Sequence, residues 1–407
     1  MNKKALTLVG VATAIGSLAC SNALGSTAYV YLSGSTAARS VVYATLKDTS
    51  GTAVWDSGTT VTEYDDGGSW TSGSSASGNN GASHMNFEGT LGGNPVIIKC
   101  EWSGSEAGYI DVSQSGANAG SETFLSDDGT ELNDSEVVDI CMADNAINFS
   151  RSSGYASSVT TTKVGVVPFR YVAEKGSATA AAGGAASFVN VTDEGIRQAL
   201  RGLCPLYLFT GNTADTTSRV FISGRDNNSG TRVNCYGTTG FGIFTAPHQL
   251  EVNADGSMKD ETGGGVYTGD YGYSGGGSVA TQMGYDLSVA TSIDVAPGAP
   301  AGSPHFSVVG YVGVSDAATA VSKGGWYMSY NGVPYSVGAV EAGQYNFWGN
   351  EYIGVNNSLN SGTVNTVYSK MTASSGVSAF GDNVALISLA NMTAQRSGPT
   401  TDPAKLK

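Results

Sequence analysis

Residues 224–235 read GRDNNSGTRVNC, directly after the apolar run Val220-Phe221-Ile222. Only 13% of the chain is charged, yet this one turn holds two arginines, an aspartate and two asparagines around Ser229-Gly230-Thr231. These residue types suit the holding of an oxyanion. Arg225 offers a planar fork of charged donors. Ser229 and Thr231 add hydroxyls, and Gly230 lets the backbone come close. If the turn opens a helix, its free N–H groups add partial positive charge.

Three further polar clusters each follow an apolar, strand-like run: Ser33-Gly34-Ser35-Thr36, SGSEAG at 103–108, and Ala143-Asp144. In open α/β sheets ligands sit beyond the carboxyl ends of the strands. Taken singly, each cluster reads as well or better as a helix cap, a turn or a surface ion pair. Their shared placement is what argues for a site. Asp144 is the odd member, because a carboxylate repels an anion unless the anion carries a proton to donate. Phosphate keeps such a proton near neutral pH and sulfate does not, so Asp144 would select phosphate by penalising the other ion.

The surrounding elements predict an α/β protein with mainly parallel sheets. Strand-like runs are read at 28–32, 96–100, 137–142, 164–172, 220–222, 307–314 and 347–355, with 164–172 passing from one lobe to another. Helical patterns are read at 37–46, 192–203, 363–370 and 384–389; Thr192-Asp193-Glu194 supplies an N-terminal signal for the second. Residues 65–83 and 253–277 are Gly-rich insertions, and no repeat of fixed period occurs.

At 407 residues the chain exceeds one simple core. Residues 1–25 read as a signal peptide: Lys3-Lys4, an apolar stretch over 5–19, and a small-x-small site at Ser21-Asn22-Ala23 or Ala23-Leu24-Gly25. Cys20 stands where a lipid-anchored cysteine stands, although Ser17 replaces the usual leucine, so an anchor there is kept as an alternative. No later run suits membrane insertion. The expected location is the periplasm or the exterior.

Cys100, Cys141, Cys204 and Cys235 would remain after cleavage, and an even number in an oxidising compartment predicts disulfides. Three pairings are open on paper. Cys100 and Cys141 each lie at or near the end of an apolar run, which suggests facing positions on neighbouring strands and leaves Cys204 with Cys235. His84, His248 and His305 are scattered, and no spacing suggests a metal or cofactor. The net charge of −14 excludes nucleic acid as a partner. A bound anion would have to be held by local donors against the overall field.

The clusters together resemble the phosphate-binding proteins of ABC transporters, the two-lobed solute receptors called PstS-like. SGSTAAR matches that family's first strand–turn–helix, SGSEAG its Ser-rich turn, and MADN its aspartate. Arg225, Ser229, Gly230 and Thr231 match its Arg-x-x-x-Ser-Gly-Thr signature, SVVGYVGVSDA its Ile-Gly-Tyr-Val run, and VTDEGIRQALRG the helix before its arginine loop. The resemblance implies the type II periplasmic-binding-protein fold with a ligand cleft between lobes. It implies contacts to inorganic phosphate from Ser35, Thr36, Ser103 or Ser105, Asp144, Arg225, Ser229, Gly230 and Thr231, and delivery by a monomer to an ABC transporter permease. The expected division is 26–166 and 316–407 for one lobe and 167–315 for the other. The family often steadies its arginine with an aspartate two positions on; here Asn227 takes that place and Asp226 lies one position earlier. The insertions and the four cysteines also depart from the pattern.

Three other readings stay open. A receptor for another oxyanion would use the same loops. A surface or matrix protein could keep the fold without the ligand. A phosphate-ester hydrolase would need Ser35 or Ser229 as nucleophile, but GxSxG is absent and no histidine lies near either serine in sequence. A non-enzymatic role is therefore expected.

Overall fold

The computed structural model describes residues 26–66, 82–113, 121–177, 183–202, 204–252, 254, 258–260, 272–285, 306–358, 362–381, 385–396 and 405–406. The leader with Cys20, most of the two Gly-rich insertions and His305 lie outside the described residues.

Among the described residues eleven strands form one large sheet. In chain order they are β1 (Ala28–Gly34), β2 (Thr62–Asp65), β3 (His84–Leu91), β4 (Asn94–Glu101), β5 (Ile140–Ala143), β6 (Val159–Ala173), β7 (Cys204–Pro205), β8 (Arg219–Ser223), β9 (Phe306–Gly313), β10 (Trp326–Tyr327) and β11 (Trp348–Asn356). Helices used below are α1 (Arg39–Lys47), α2 (Ser105–Ser113), α3 (Asp193–Leu200), α4 (Gly230–Thr238), α5 (Gly276–Gln282), α6 (Val314–Ser322) and α7 (Gly362–Thr372). The strand order is β7-β8-β9-β6-β11-β5-β1-β4-β3-β2, with β10 also on β6.

The fold is α/β as expected, but the sheet is mixed rather than mainly parallel, because β6 and β11 run antiparallel to their neighbours and hairpins add antiparallel strands at the edge. Parallel pairing holds between β1 and β4, β1 and β5, and β8 and β9. The strands that carry the polar clusters therefore end side by side in each half. Antiparallel pairing joins the halves. The 15-residue β6 pairs with β11 from Val159 to Pro168, then with β9 from Phe169 to Ala173. β6 is thus shared by both halves, and its partner changes at Pro168-Phe169. The main apolar core runs through Val30, Leu32, Val166, Phe169, Tyr171, Ile222, Tyr311, Trp348 and Ile353. Burial of that continuous apolar surface is what makes the two halves cohere.

Helix signals act locally. The Thr192 side chain accepts the Gly195 N–H at 3.1 Å and starts α3. Residues 385–389, read as part of a helix, are not helical: Ile387 exchanges two backbone hydrogen bonds with Val166, at 2.9 and 2.8 Å. Leu386 and Ile387 are fully buried there, a use that suits an extended apolar run as well as a helix.

No disulfide forms among the four described cysteines. Cys100 aligns with Leu32 of β1 on one side, and Cys141 aligns with Ser33 on the other. The whole of β1 separates them, a spacing of roughly 9–10 Å for two inter-strand steps. A disulfide needs Cα atoms within about 7 Å. Adjacent positions also point to opposite faces, and Cys100 and Cys141 belong to different apolar clusters. Cys204 lies on β7 beside the Gly195 carbonyl, and Cys235 lies in α4 beside the Tyr171 hydroxyl. Both are buried thiols, their pKa pushed up to about 12 by desolvation.

Candidate functional site

The loop after β8 sets the arginine. The Arg225 side chain is buried, its Nε donating to the Tyr273 carbonyl at 3.0 Å and Nη2 to the Ser274 carbonyl at 2.6 Å. Nη2 also reaches the Thr36 hydroxyl at 3.4 Å, across the two halves of the sheet. Among the described residues Nη1 takes no acceptor, which leaves one edge of the guanidinium for a ligand. The backbone is fixed as well: the Arg225 N–H donates to the Tyr311 hydroxyl, and its carbonyl accepts from Arg232 and Gln249.

Among the described residues no carboxylate is hydrogen-bonded to this arginine. Asp226 instead accepts the Asn228 N–H at 3.0 Å, a local turn contact. Tyr273 and Ser274, at the end of the second Gly-rich segment, do the work by backbone carbonyls. Sequence reasoning missed them because carbonyl acceptors have no residue signature.

Helix α4 begins at Gly230 with Ser229 as its cap, the Ser229 hydroxyl accepting the Arg232 N–H at 3.2 Å. Its N-terminus abuts Asp144. A Cβ on Gly230 would overlap the Asp144 carboxylate and the Ser105 hydroxyl. Here glycine is required by close approach, not by backbone angle. Thr231 Oγ1 stands 3.5 Å from Asp144 Oδ2, at the outer limit of a hydrogen bond.

Asp144 follows β5 and Ser105 opens α2. They are reciprocally bonded, the Ser105 hydroxyl donating to Asp144 Oδ1 at 2.8 Å and the Asp144 N–H donating to Ser105 Oγ at 3.1 Å. Asn234 of α4 donates to the Asp144 carbonyl at 2.8 Å. Burial pushes the Asp144 carboxyl up to about 6, against the opposing pull of Ser105 and Arg225. Arg225 acts on it through space, as a charge.

Ser103 and Ser105 part company. Ser103 pairs with the Ser33 hydroxyl at 2.6 Å, and Ser33 donates to Glu101 at 2.8 Å. Only Ser105 touches Asp144. Ser35 is buried and its N–H donates to the Met142 carbonyl at 2.8 Å, while its hydroxyl is enclosed without a partner among the described residues. Gly34, at φ +122°, lets β1 turn against Met142. The structure thus gathers Thr36, Ser105, Asp144, Arg225, Ser229, Gly230 and Thr231 at the junction of the two halves, with Ser35 beside them.

One further acid stands near. Glu351 of β11 is fully buried and neither carboxyl oxygen has a partner among the described residues. Burial first, and then the neighbouring Asp144 charge, push its carboxyl well above the ordinary range. A glutamate inside the apolar strand run 347–355 was the signal that could have marked it.

Comparison with known proteins concerns the fold. No family model matches the sequence, and no curated protein matches it. Among solved structures, a protein described as a phosphate ABC transporter substrate-binding protein from Clostridium perfringens, solved with bound phosphate, aligns over 89% of this chain and 99% of its own. The identity is 12% and the TM-score 0.50. PstS from Borrelia burgdorferi aligns over 89% and 98% at 12% identity and TM-score 0.41. An ABC-type phosphate transport receptor from Vibrio cholerae aligns over 85% and 94% at 11% identity and TM-score 0.44. The chain shares the two-lobed α/β fold of the first. Among the described residues no helix is long and apolar enough to cross a membrane.

Proposed function

We propose that this protein is an exported receptor that captures inorganic phosphate between its two lobes and hands it to an ABC transporter permease. The observation that carries the reading is the single locus formed by the Arg225 guanidinium, the α4 N-terminus and the Asp144 carboxyl. Hydroxyl and N–H donors with one arginine would satisfy a dehydrated oxyanion; Asp144 would accept the proton that phosphate keeps. In a dry cleft such charge-assisted bonds are strong although the chain is acidic overall. The fold shared with a receptor solved with bound phosphate supports the same reading.

A binding role is favoured by the fold shared with a solute receptor, and neither described histidine is bonded to the candidate nucleophiles. The His84 ring pairs with Asp66 at 2.7 Å, and the His248 backbone N–H donates to the Leu200 carbonyl. Residues 1–25 would direct export, with the mature chain acting in the periplasm or outside.

Calorimetric titration with phosphate and with sulfate tests the reading. Saturable phosphate binding, at least about a hundredfold tighter than sulfate at neutral pH, is expected, a difference of roughly 2.7 kcal/mol. Absence of phosphate binding, or equal affinity for both ions, overturns it.

A further inference from the structure

Beside the proposed oxyanion locus lies a separate cavity of about 220 Å³. Its walls include Thr36, Arg39, Pro168, Gly313, Asp316 and Thr319. It sits where α1 and α6 begin, against the point at which β6 changes partner.

Two features tie it to the anion loops. Thr36 lines the cavity and also receives Arg225 Nη2 at 3.4 Å. Ser274, whose carbonyl holds the same guanidinium, is followed at once by the start of α5, where a Cβ on Gly276 would overlap the Asp316 carboxylate. Thr36 and Asp316 thus place the cavity next to the loops that hold Arg225.

The lining is mixed, with Arg39 and Asp316 as its charged members. Arg39 spends one hydrogen bond on the Ala82 carbonyl at 3.3 Å. The Asp316 carboxylate accepts none from the described residues, although burial pushes its carboxyl up and Arg225 and Arg39 pull it back. Asp316 is half-buried, so a ligand that supplies donors would take the place of water at its carboxylate. At roughly 30 Å³ per water, the space holds about seven water-sized groups. Inorganic phosphate alone needs no such annex.

We propose that this cavity is a subsite for the substituent of a phosphate monoester bound in its singly protonated form, which brings Asp144 the proton it needs and predominates below the second phosphoryl pKa of about 6; the substituent is a short hydroxylated or amino-bearing chain whose donors face Asp316 while the phosphoryl group lies at Arg225. This rests on the reading of the Arg225, Ser229–Thr231 and Asp144 loops as an oxyanion site. It widens the ligand class from inorganic phosphate to small polar phosphomonoesters.

Titrate the full-length mature protein with inorganic phosphate, glycerol 3-phosphate and phosphoethanolamine, then repeat with Asp316→Asn and Thr319→Trp. At least one ester is expected to bind within about tenfold of phosphate, that is within ~1.4 kcal/mol. Thr319→Trp, which fills the cavity, should weaken the ester about tenfold or more and leave phosphate unchanged. Asp316→Asn should weaken the ester by a similar factor, and it stands as the control should the tryptophan variant fail to fold. If phosphate binds but both esters are more than about a hundredfold weaker, the subsite is refuted and the phosphate reading survives. Equal loss for ester and phosphate in Asp316→Asn also refutes it. If neither phosphate nor ester binds, the oxyanion reading itself falls and takes this inference with it.

Discussion

Arg225 is held by two carbonyls, and that arrangement fixes both its position and its charge. A carbonyl clamp spares the guanidinium from neutralisation, whereas an aspartate would partly cancel it. Arg225→Ala should therefore cost phosphate about 2–5 kcal/mol of binding, read by calorimetry. Arg225→Lys should recover little, since one ammonium cannot meet Tyr273, Ser274 and a ligand in the same plane. On the proposed reading, selectivity falls to Asp144. Its carboxyl is held up at about 6, so it takes up a proton as pH falls through that value. A neutral carboxyl no longer repels sulfate and can donate to it. Sulfate affinity of the parent should rise as pH drops below about 6, and Asp144→Asn should bind sulfate with no such dependence. The same shift bears on folding. The stability that Asp144 contributes is complete below the ordinary value of about 3.9 and is lost as pH rises through about 6. An unchanged sulfate profile in the asparagine variant would remove Asp144 from the selectivity argument.

The elements explain why some of this was legible and some was not. Strand, polar turn and helix start are contiguous in sequence, so the clusters at 33–36, 103–108 and 224–231 could be read directly, and Ser229 does cap α4 as its residue type suggests. The cysteines could not, because their pairing depends on strand order, and β1 lies between Cys100 and Cys141. The thermal midpoint should accordingly be the same with and without reductant; a drop on reduction would mean that a bridge exists. The α4 N-terminus gives a sharper test. Gly230→Ala places a methyl group where Asp144 sits, so the loops from the two halves cannot meet. Phosphate binding should be lost while the circular dichroism stays that of the parent. On β11, Glu351 is a carboxyl in an apolar wall. Its folded-state pKa is raised, so its contribution to stability is intact below about 4.3 and is lost as pH rises. Glu351→Met should therefore stabilise the protein by about 1–3 kcal/mol at about pH 8 and by less at about pH 5. Equal gains at both pH values would mean that the glutamate is paired.

At the scale of the molecule, an anion must approach a chain of net charge −14. The donors proposed to hold it are short-range: a clamped arginine, helix N–H groups and hydroxyls at the junction of the two halves. The repulsion is long-range and shared by the whole surface. Salt separates the two, because the Debye length falls from ~30 Å at 0.01 M to ~8 Å at 0.15 M and screens exposed charges far more than buried ones. Phosphate association should consequently become faster as ionic strength rises over that range, opposite to the behaviour of a receptor that steers its ligand. Dissociation should change less, since on the proposed reading it is governed by short-range contacts inside the cleft. Stopped-flow measurement in an inert salt such as sodium chloride reads both rates. Association that slows with salt would mean that Arg39 and Arg225 set the field at the cleft mouth, and that the acidic remainder of the surface is too distant to matter.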